Sequence, residues 1–284
     1  MPFTTLITTH QLAPHLTDPD WVIFDCRFTL AEADRGRRDY QKSHIFKAIY
    51  AHLNDDLAGP SVPGRTGRHP LPDVAAISHF FSKSGLDQNS QVIAYDDTGG
   101  SIAARVWWLL RWLGHDAVAI LDGGWPQWIK EGRPTTDSIE PPTPRSFVPR
   151  PRSDLWLTTD QVVTQLNDPR FRLIDSRNAD RYRGENETID PVAGHIPGAI
   201  SVPYADNLNP DGTFKPADQL RAHFESVLGD TPADQTVFYC GSGITAAHNL
   251  IALEHAGLGA AKLYAGSWSE WITDRSRPIR TGID

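Results

Sequence analysis

The 284-residue sequence has only two cysteines, Cys26 and Cys240, which stand 214 positions apart (240 − 26). So sparse and distant a pair builds no disulfide framework and no cysteine cluster of metal-ligand spacing, and it makes a reducing compartment the expectation. Long hydrophobic runs are missing too. No stretch approaches the ~20 apolar residues of a membrane span, and residues 1–9 lack a basic segment followed by an apolar run. Neither secretion nor membrane insertion is therefore expected, and the cytoplasm is the simplest location. Positive charge is in deficit, with 27 Lys and Arg against 35 Asp and Glu, a formal charge of −8. The overall field would repel nucleic acid and anionic membrane, so both are excluded as partners. A small anionic substrate would need a local positive site.

What is present begins with core-forming material: 39% hydrophobic residues and nine tryptophans, enough for one large or two ordinary globular domains. The stretch with chemical content is Tyr239-Cys240-Gly241-Ser242-Gly243-Ile244-Thr245-Ala246. A β-rich run, residues 236–239, ends in the cysteine, and a helical pattern runs over residues 245–256. A loop between strand and helix can curl its amides around a point and aim a helix N-terminus at it, which favours an anion there. A free thiol titrates at about 8.5, and such surroundings lower that value and make the sulfur a nucleophile at neutral pH. Cys240 as a plain buried hydrophobe is the alternative. The glycine spacing favours catalysis, because glycine lets backbone approach a ligand closely.

The chain reads as a duplication. Thr8-Thr9 and Asp25 recur 150 residues later as Thr158-Thr159 and Asp175. His44-Ile45 recurs as His195-Ile196 (151 apart), Tyr95 as Tyr239 (144 apart), and Gly123-Gly124-Trp125-Pro126-Gln127-Trp128 as Gly266-Ser267-Trp268-Ser269-Glu270-Trp271 (143 apart). Within each copy short apolar strands alternate with helical patterns, the signature of a parallel sheet with helices on both faces and ligands at strand C-termini. The expected organisation is a catalytically silent domain over 1–132, a proline-rich linker over 133–152, and a catalytic domain over 153–284. The first copy has Tyr95-Asp96-Asp97 where the second has the cysteine, and carboxylates capping a helix there read as structural rather than as metal ligands or an acid/base pair. Cys26 reads as a core thiol. Trp107, Trp108 and Trp112, on one helical run, read as core and domain interface, and His69, His79, His115, His248 and His255 show no ligand spacing.

Over nearly its whole length the chain resembles the tandem-domain rhodanese-like sulfurtransferases, which include thiosulfate and 3-mercaptopyruvate sulfurtransferases. The residues that carry this are Asp25-Cys26-Arg27-Phe28, Tyr95-Asp96-Asp97, Arg105-Val106-Trp107-Trp108, Leu121-Asp122-Gly123-Gly124-Trp125, Arg181-Tyr182-Arg183-Gly184, Gly194-His195-Ile196-Pro197-Gly198-Ala199 and the Cys240 loop. The resemblance implies an α/β fold of two tandem rhodanese-like domains, each a small parallel β-sheet flanked by helices. It implies a sulfurtransferase that moves a sulfane sulfur from 3-mercaptopyruvate to a small thiol, thioredoxin or cyanide through a Cys240 persulfide, without metal or organic cofactor. Gly241-Ser242 after the cysteine resembles the mercaptopyruvate type. In that type the hydroxyl at Ser242 joins a proton relay with a histidine of the first domain, for which His44 sits at the matching motif, and an acidic residue, assigned to Asp34. Arg181 matches the first of two arginines that hold the substrate carboxylate. Where the second is expected, the sequence reads Glu185-Asn186-Glu187-Thr188-Ile189-Asp190-Pro191. Thiosulfate therefore stays open as the donor.

The implied mechanism is double displacement, with the amides of Gly241, Gly243, Ile244 and Thr245 stabilising the persulfide. A cysteine phosphatase is disfavoured because the position where it needs an arginine, the sixth after the cysteine, is Ala246. A non-enzymatic persulfide carrier also needs Cys240 and stays open.

Overall fold

The computed structural model describes residues 1–283, which form two compact units. Unit 1 comprises Met1–Gly59, Pro72–Arg152 and Pro210–Phe214, and unit 2 comprises Pro60–Leu71, Ser153–Asn209 and Lys215–Asp284. Each half of the sequence thus gives a segment to the unit built mainly by the other, which a single division at the proline-rich stretch does not anticipate.

In unit 1 the chain runs β1 (Leu6–Ile7), α1 (Thr9–Leu12), β2 (Trp21–Asp25), α2 (Arg35–Lys42), β3 (His44–Ile45), β4 (Ile49–Tyr50), α3 (Val74–Lys83), β5 (Gln91–Tyr95), α4 (Ala103–Trp112), β6 (Val118–Leu121), α5 (Gly124–Lys130) and β7 (Thr135–Thr136). In unit 2 it runs β8 (Trp156–Leu157), α6 (Thr159–Gln165), β9 (Arg172–Asp175), α7 (Ala179–Arg183), β10 (Ile200–Ser201), α8 (Ala217–Leu228), β11 (Thr236–Tyr239), α9 (Ala246–His255), β12 (Lys262–Tyr264) and α10 (Ser267–Trp271). The two main sheets are parallel and have one topology, β1-β6-β5-β2-β4 and β8-β12-β11-β9-β10. Asp25 sits opposite Tyr95, and Asp175 opposite Tyr239.

The repeated residues are those that fix this geometry. Thr8 and Thr158 each close a capping box with the glutamine three residues on, which satisfies helix-end amides at the same place in both units. Asp25 and Asp175 each hold a buried arginine two residues on, Arg27 and Arg177, through bonds of 2.6–3.1 Å. Those guanidiniums lie 4.4 Å from the Trp125 ring and 4.9 Å from the Trp268 ring. Central strands read as continuous apolar runs because helices cover both faces. The expected tryptophan core is present in unit 1, where Trp107, Trp108 and Trp112 are buried on α4. Residues 133–152 differ from the expected linker: they are packed onto unit 1. Thr135 and Thr136 pair with Ile45 and His44, Phe147 is buried, and Arg145 bonds Asp20 and Asp87.

Candidate active site

β11 delivers Cys240 to the C-terminal edge of its sheet, and five residues turn the chain into α9. The turn requires glycine at 243, where φ is +76° and a Cβ would stand 2.4 Å from the Ala265 carbonyl oxygen. The loop is pinned by three bonds: Trp268 N–H to Cys240 O, Ser269 N–H to Gly241 O, both 2.9 Å, and Cys240 N–H to Ser267 Oγ, 3.1 Å. Cys240 is buried, 2% exposed.

Unit 1 displays what such a loop binds. Asp96, 144 residues before Cys240, is fully buried and accepts four amide bonds, from Thr98 and Gly100 on one oxygen (2.8 Å each) and from Ile102 (2.7 Å) and Ala103 (2.9 Å) on the other. The strand-turn-helix is an anion cradle filled here by a side chain, as the structural reading of Asp96 expects. Asp97 instead pairs with Arg35 at 2.7 Å. In unit 2 the residue that follows the equivalent strand end, after Tyr239, is Cys240.

Ser242 meets a histidine, and it is His69: Nδ1 lies 2.8 Å from Ser242 Oγ, with both residues buried. His69 arrives on Pro60–Leu71, which packs against α10 through Arg68 N–H to Ser269 Oγ (3.0 Å). Gly67 makes that approach possible, since a Cβ there would stand 2.7 Å from Gly266 O. The relay assigned to His44 and Asp34 is corrected on this point. His44 belongs to unit 1, where its Nδ1 bonds the Tyr40 carbonyl at 2.7 Å and its ring stacks on Tyr40 at 4.1 Å. His195 repeats both contacts with Tyr182, at 2.8 Å and 3.7 Å, so the recurring histidine is a scaffold residue. Asp34 is exposed at the start of α2 and makes no capping bond.

Arg181 lies beside the loop, and a second guanidinium, that of Arg68, lies there as well. A Cβ built on Gly241 would be 2.8 Å from Arg68 Nη2 and 3.7 Å from both Arg181 terminal nitrogens. The position nine residues after Arg181 holds Asp190, and its carboxylate takes Arg68 Nη1 on one oxygen and Arg181 Nη2, at 3.0 Å, on the other. Glu187 receives Arg181 Nε at 3.0 Å and Nη2 at 2.9 Å, together with the amides of Ile189 and Asp190. Burial pushes the Asp190 carboxyl above its usual range against the pull of Arg68. Burial opposes charge on Glu187 too, but the Asp190 and Ile189 amides and Arg181 bring it below the usual range.

Sequence reasoning set His69 aside for want of ligand spacing and gave no role to Arg68, Asp190 or Ser267. One signal for the first two was available: the repeat offset falls from 151 at His44/His195 to 144 at Tyr95/Tyr239, so the first copy has seven extra residues between these landmarks, where 60–71 lies.

Residues 8–131 and 158–274 match the family model of the rhodanese-like domain. The chain belongs to the rhodanese-like family. It is 48% identical over 278 residues to a probable 3-mercaptopyruvate sulfurtransferase of Pseudomonas aeruginosa, covering 98% of each chain. It is 31% identical over 292 residues to the thiosulfate sulfurtransferase of Rattus norvegicus, covering 99% of this chain and 95% of the rat protein. Among solved structures, a 3-mercaptopyruvate sulfurtransferase from Leishmania major matches with a TM-score of 0.86 at 32% identity, over 97% of this chain and 76% of that one.

In this rhodanese-like chain Ser267 carries the backbone cost of anchoring Cys240. Its φ is +55°, and the counterpart in unit 1 is Gly124 at +53°. A non-glycine residue in the left-handed region costs about 1–2 kcal/mol. The Ser267 hydroxyl both accepts the Cys240 amide and donates to Tyr264 O at 2.9 Å. Ser267→Ala, which loses both bonds and keeps the strain, is expected to destabilise the protein by about 2 kcal/mol, and Ser267→Gly by about 1 kcal/mol less. Urea unfolding of the two variants checks this, and equal losses would mean that the backbone there is unstrained.

Proposed function

We propose that this sulfurtransferase takes sulfur from 3-mercaptopyruvate on Cys240 and hands it to a small thiol, thioredoxin or cyanide. The observation that carries the donor assignment is the 2.8 Å contact between Ser242 Oγ and His69 Nδ1 in the loop of the nucleophile. In the first half-reaction the Cys240 thiolate attacks the donor sulfur. A sulfur–sulfur bond forms, the carbon–sulfur bond breaks, and its electron pair goes to the three-carbon fragment as the enolate of pyruvate. That fragment needs a proton at carbon to depart as pyruvate. Sulfite, which thiosulfate would release, is a stable anion and needs none. A buried hydroxyl–imidazole pair is equipment for the carbon leaving group.

In the second half-reaction the acceptor attacks the outer sulfur and Cys240 leaves as thiolate, giving a new persulfide or thiocyanate. The four-amide cradle around Asp96 supports a loop that steadies the negative charge of the Cys240 persulfide. Each half balances without a metal or organic cofactor. Arg68 and Arg181 supply guanidinium edges for the donor's carboxylate.

A second reading, thiosulfate as donor, is favoured by that same pair of guanidiniums, which suits any small oxyanion. Steady-state transfer from the two donors side by side separates them. The expected result is a preference for 3-mercaptopyruvate of about a hundredfold or more in kcat/KM, about 2.7 kcal/mol in transition-state free energy. Equal or better use of thiosulfate would overturn the assignment.

A further inference from the structure

Asp190 is an acid in a site that must take an anion. Its side chain is 2% exposed, as is that of Glu187, whereas Arg68 and Arg181 above them are 27% and 15% exposed. One buried carboxylate therefore ties together two arginines from separate segments, Arg68 by Nη1 and Arg181 by Nη2. Arg181 is held a second time by Glu187, and Arg177 beside it is matched by Asp175. Arg177 also reaches Glu187, at 3.5 Å, so within this ion-paired cluster three guanidiniums, Arg68, Arg177 and Arg181, are balanced by three carboxylates, Asp175, Glu187 and Asp190. The bonds to Asp190 and Glu187 leave Arg68 Nη2 and Arg181 Nη1 over Gly241, next to the nucleophile.

We propose that Asp190 sets the charge selectivity of the donor site: it orients two guanidinium edges over the Cys240 loop while cancelling their excess charge, so that a monoanionic carboxylate fits and a dianion is disfavoured. The inference rests on the reading that the donor lies over this loop. Directed hydrogen bonds from the two edges serve either anion. The Coulomb cost of the neighbouring acids grows with each further charge on the ligand, and at an effective dielectric constant of about 20 one unit charge several ångströms away is worth tenfold or more in binding. Asp190 acts through the arginines and is a positioning residue.

The test uses inert anions, so that binding is read apart from chemistry: calorimetric titration of pyruvate, a monoanion, and sulfate, a dianion, into the full-length protein carrying Cys240→Ser, at fixed ionic strength. Adding Asp190→Asn is expected to raise the sulfate-to-pyruvate affinity ratio about tenfold, about 1.4 kcal/mol. Adding Arg68→Met instead is expected to lower that ratio. Arg68→Met with Asp190→Asn restores the charge balance of the cluster and is expected to return the ratio to within about threefold of its starting value, with both affinities reduced. A merely structural role for Asp190 would weaken both anions together and leave the ratio unchanged, and that result overturns the inference. If Asp190→Asn does not fold, Arg68→Met decides alone, because an unchanged ratio there is equally fatal. Turnover of 3-mercaptopyruvate by the unaltered protein is measured in parallel. Its absence would sink 3-mercaptopyruvate as the donor, while the affinity ratios still decide the charge selectivity.

Discussion

Cys240→Ser is expected to lower sulfur transfer from either donor by about 10⁴-fold or more, the scale on which loss of a covalent nucleophile is felt. Serine keeps the size and the polar end of the side chain, so the pinning bonds to Trp268, Ser269 and Ser267, all of which run through backbone atoms of the loop, stay in place. What is lost is the ability of the side chain to hold a second sulfur. The check is mass spectrometry after incubation with donor. The unaltered protein gains one sulfur atom on the peptide that contains Cys240, and the variant gains none. Cys26 provides an internal comparison: it is fully buried, and burial together with Asp25 pushes its thiol well above the usual range, so it stays unmodified. Added sulfur on Cys26, or transfer that survives the substitution, would remove Cys240 from the mechanism.

The second large effect concerns the Ser242–His69 pair. Ser242→Ala and His69→Gln are each expected to reduce kcat/KM for 3-mercaptopyruvate by about 10²–10³-fold, the usual range for a lost proton-transfer group. The double variant is expected to be little worse than either single one, because two residues that pass one proton act as a unit. Transfer from thiosulfate, whose leaving group takes no proton, is expected to fall by less than about tenfold in all three. Kinetics with both donors on the four proteins decide the matter. Equal losses on both donors would show that the pair shapes the loop rather than delivering a proton.

The duplication was legible because the residues that recur are those each unit needs to fold. Thr8 and Thr158 cap, while Asp25 and Asp175 hold a buried arginine, so both copies had to keep them. Cys240 was legible for the opposite reason, standing where the first copy has Asp96. His44 misled because recurrence marks scaffold. It matches His195, and both rings are spent on a neighbouring tyrosine and a helix carbonyl. The histidine that touches Ser242 has no counterpart in the second copy, as a residue serving a single site need not. Arg68 was hidden the same way, and Asp190 was hidden because it carries the charge opposite to the one expected there. Its partners stand 9 and 122 positions away (190 − 181 and 190 − 68), distances over which no local pattern connects residues.

The crossing of Pro60–Leu71 into unit 2 and of Pro210–Phe214 into unit 1 bears on how this chain can be divided. A gene cut at the proline-rich stretch would encode a C-terminal polypeptide with Cys240 and Ser242 but without Arg68 or His69. The N-terminal product would carry those two residues on a segment with nothing to fold against, and would lose Phe214, whose amide bonds Asp122 at 2.8 Å. Each unit thus completes its fold with a length of chain encoded in the other half of the gene. The boundary of the repeat in sequence and the boundary of the folded units are different lines.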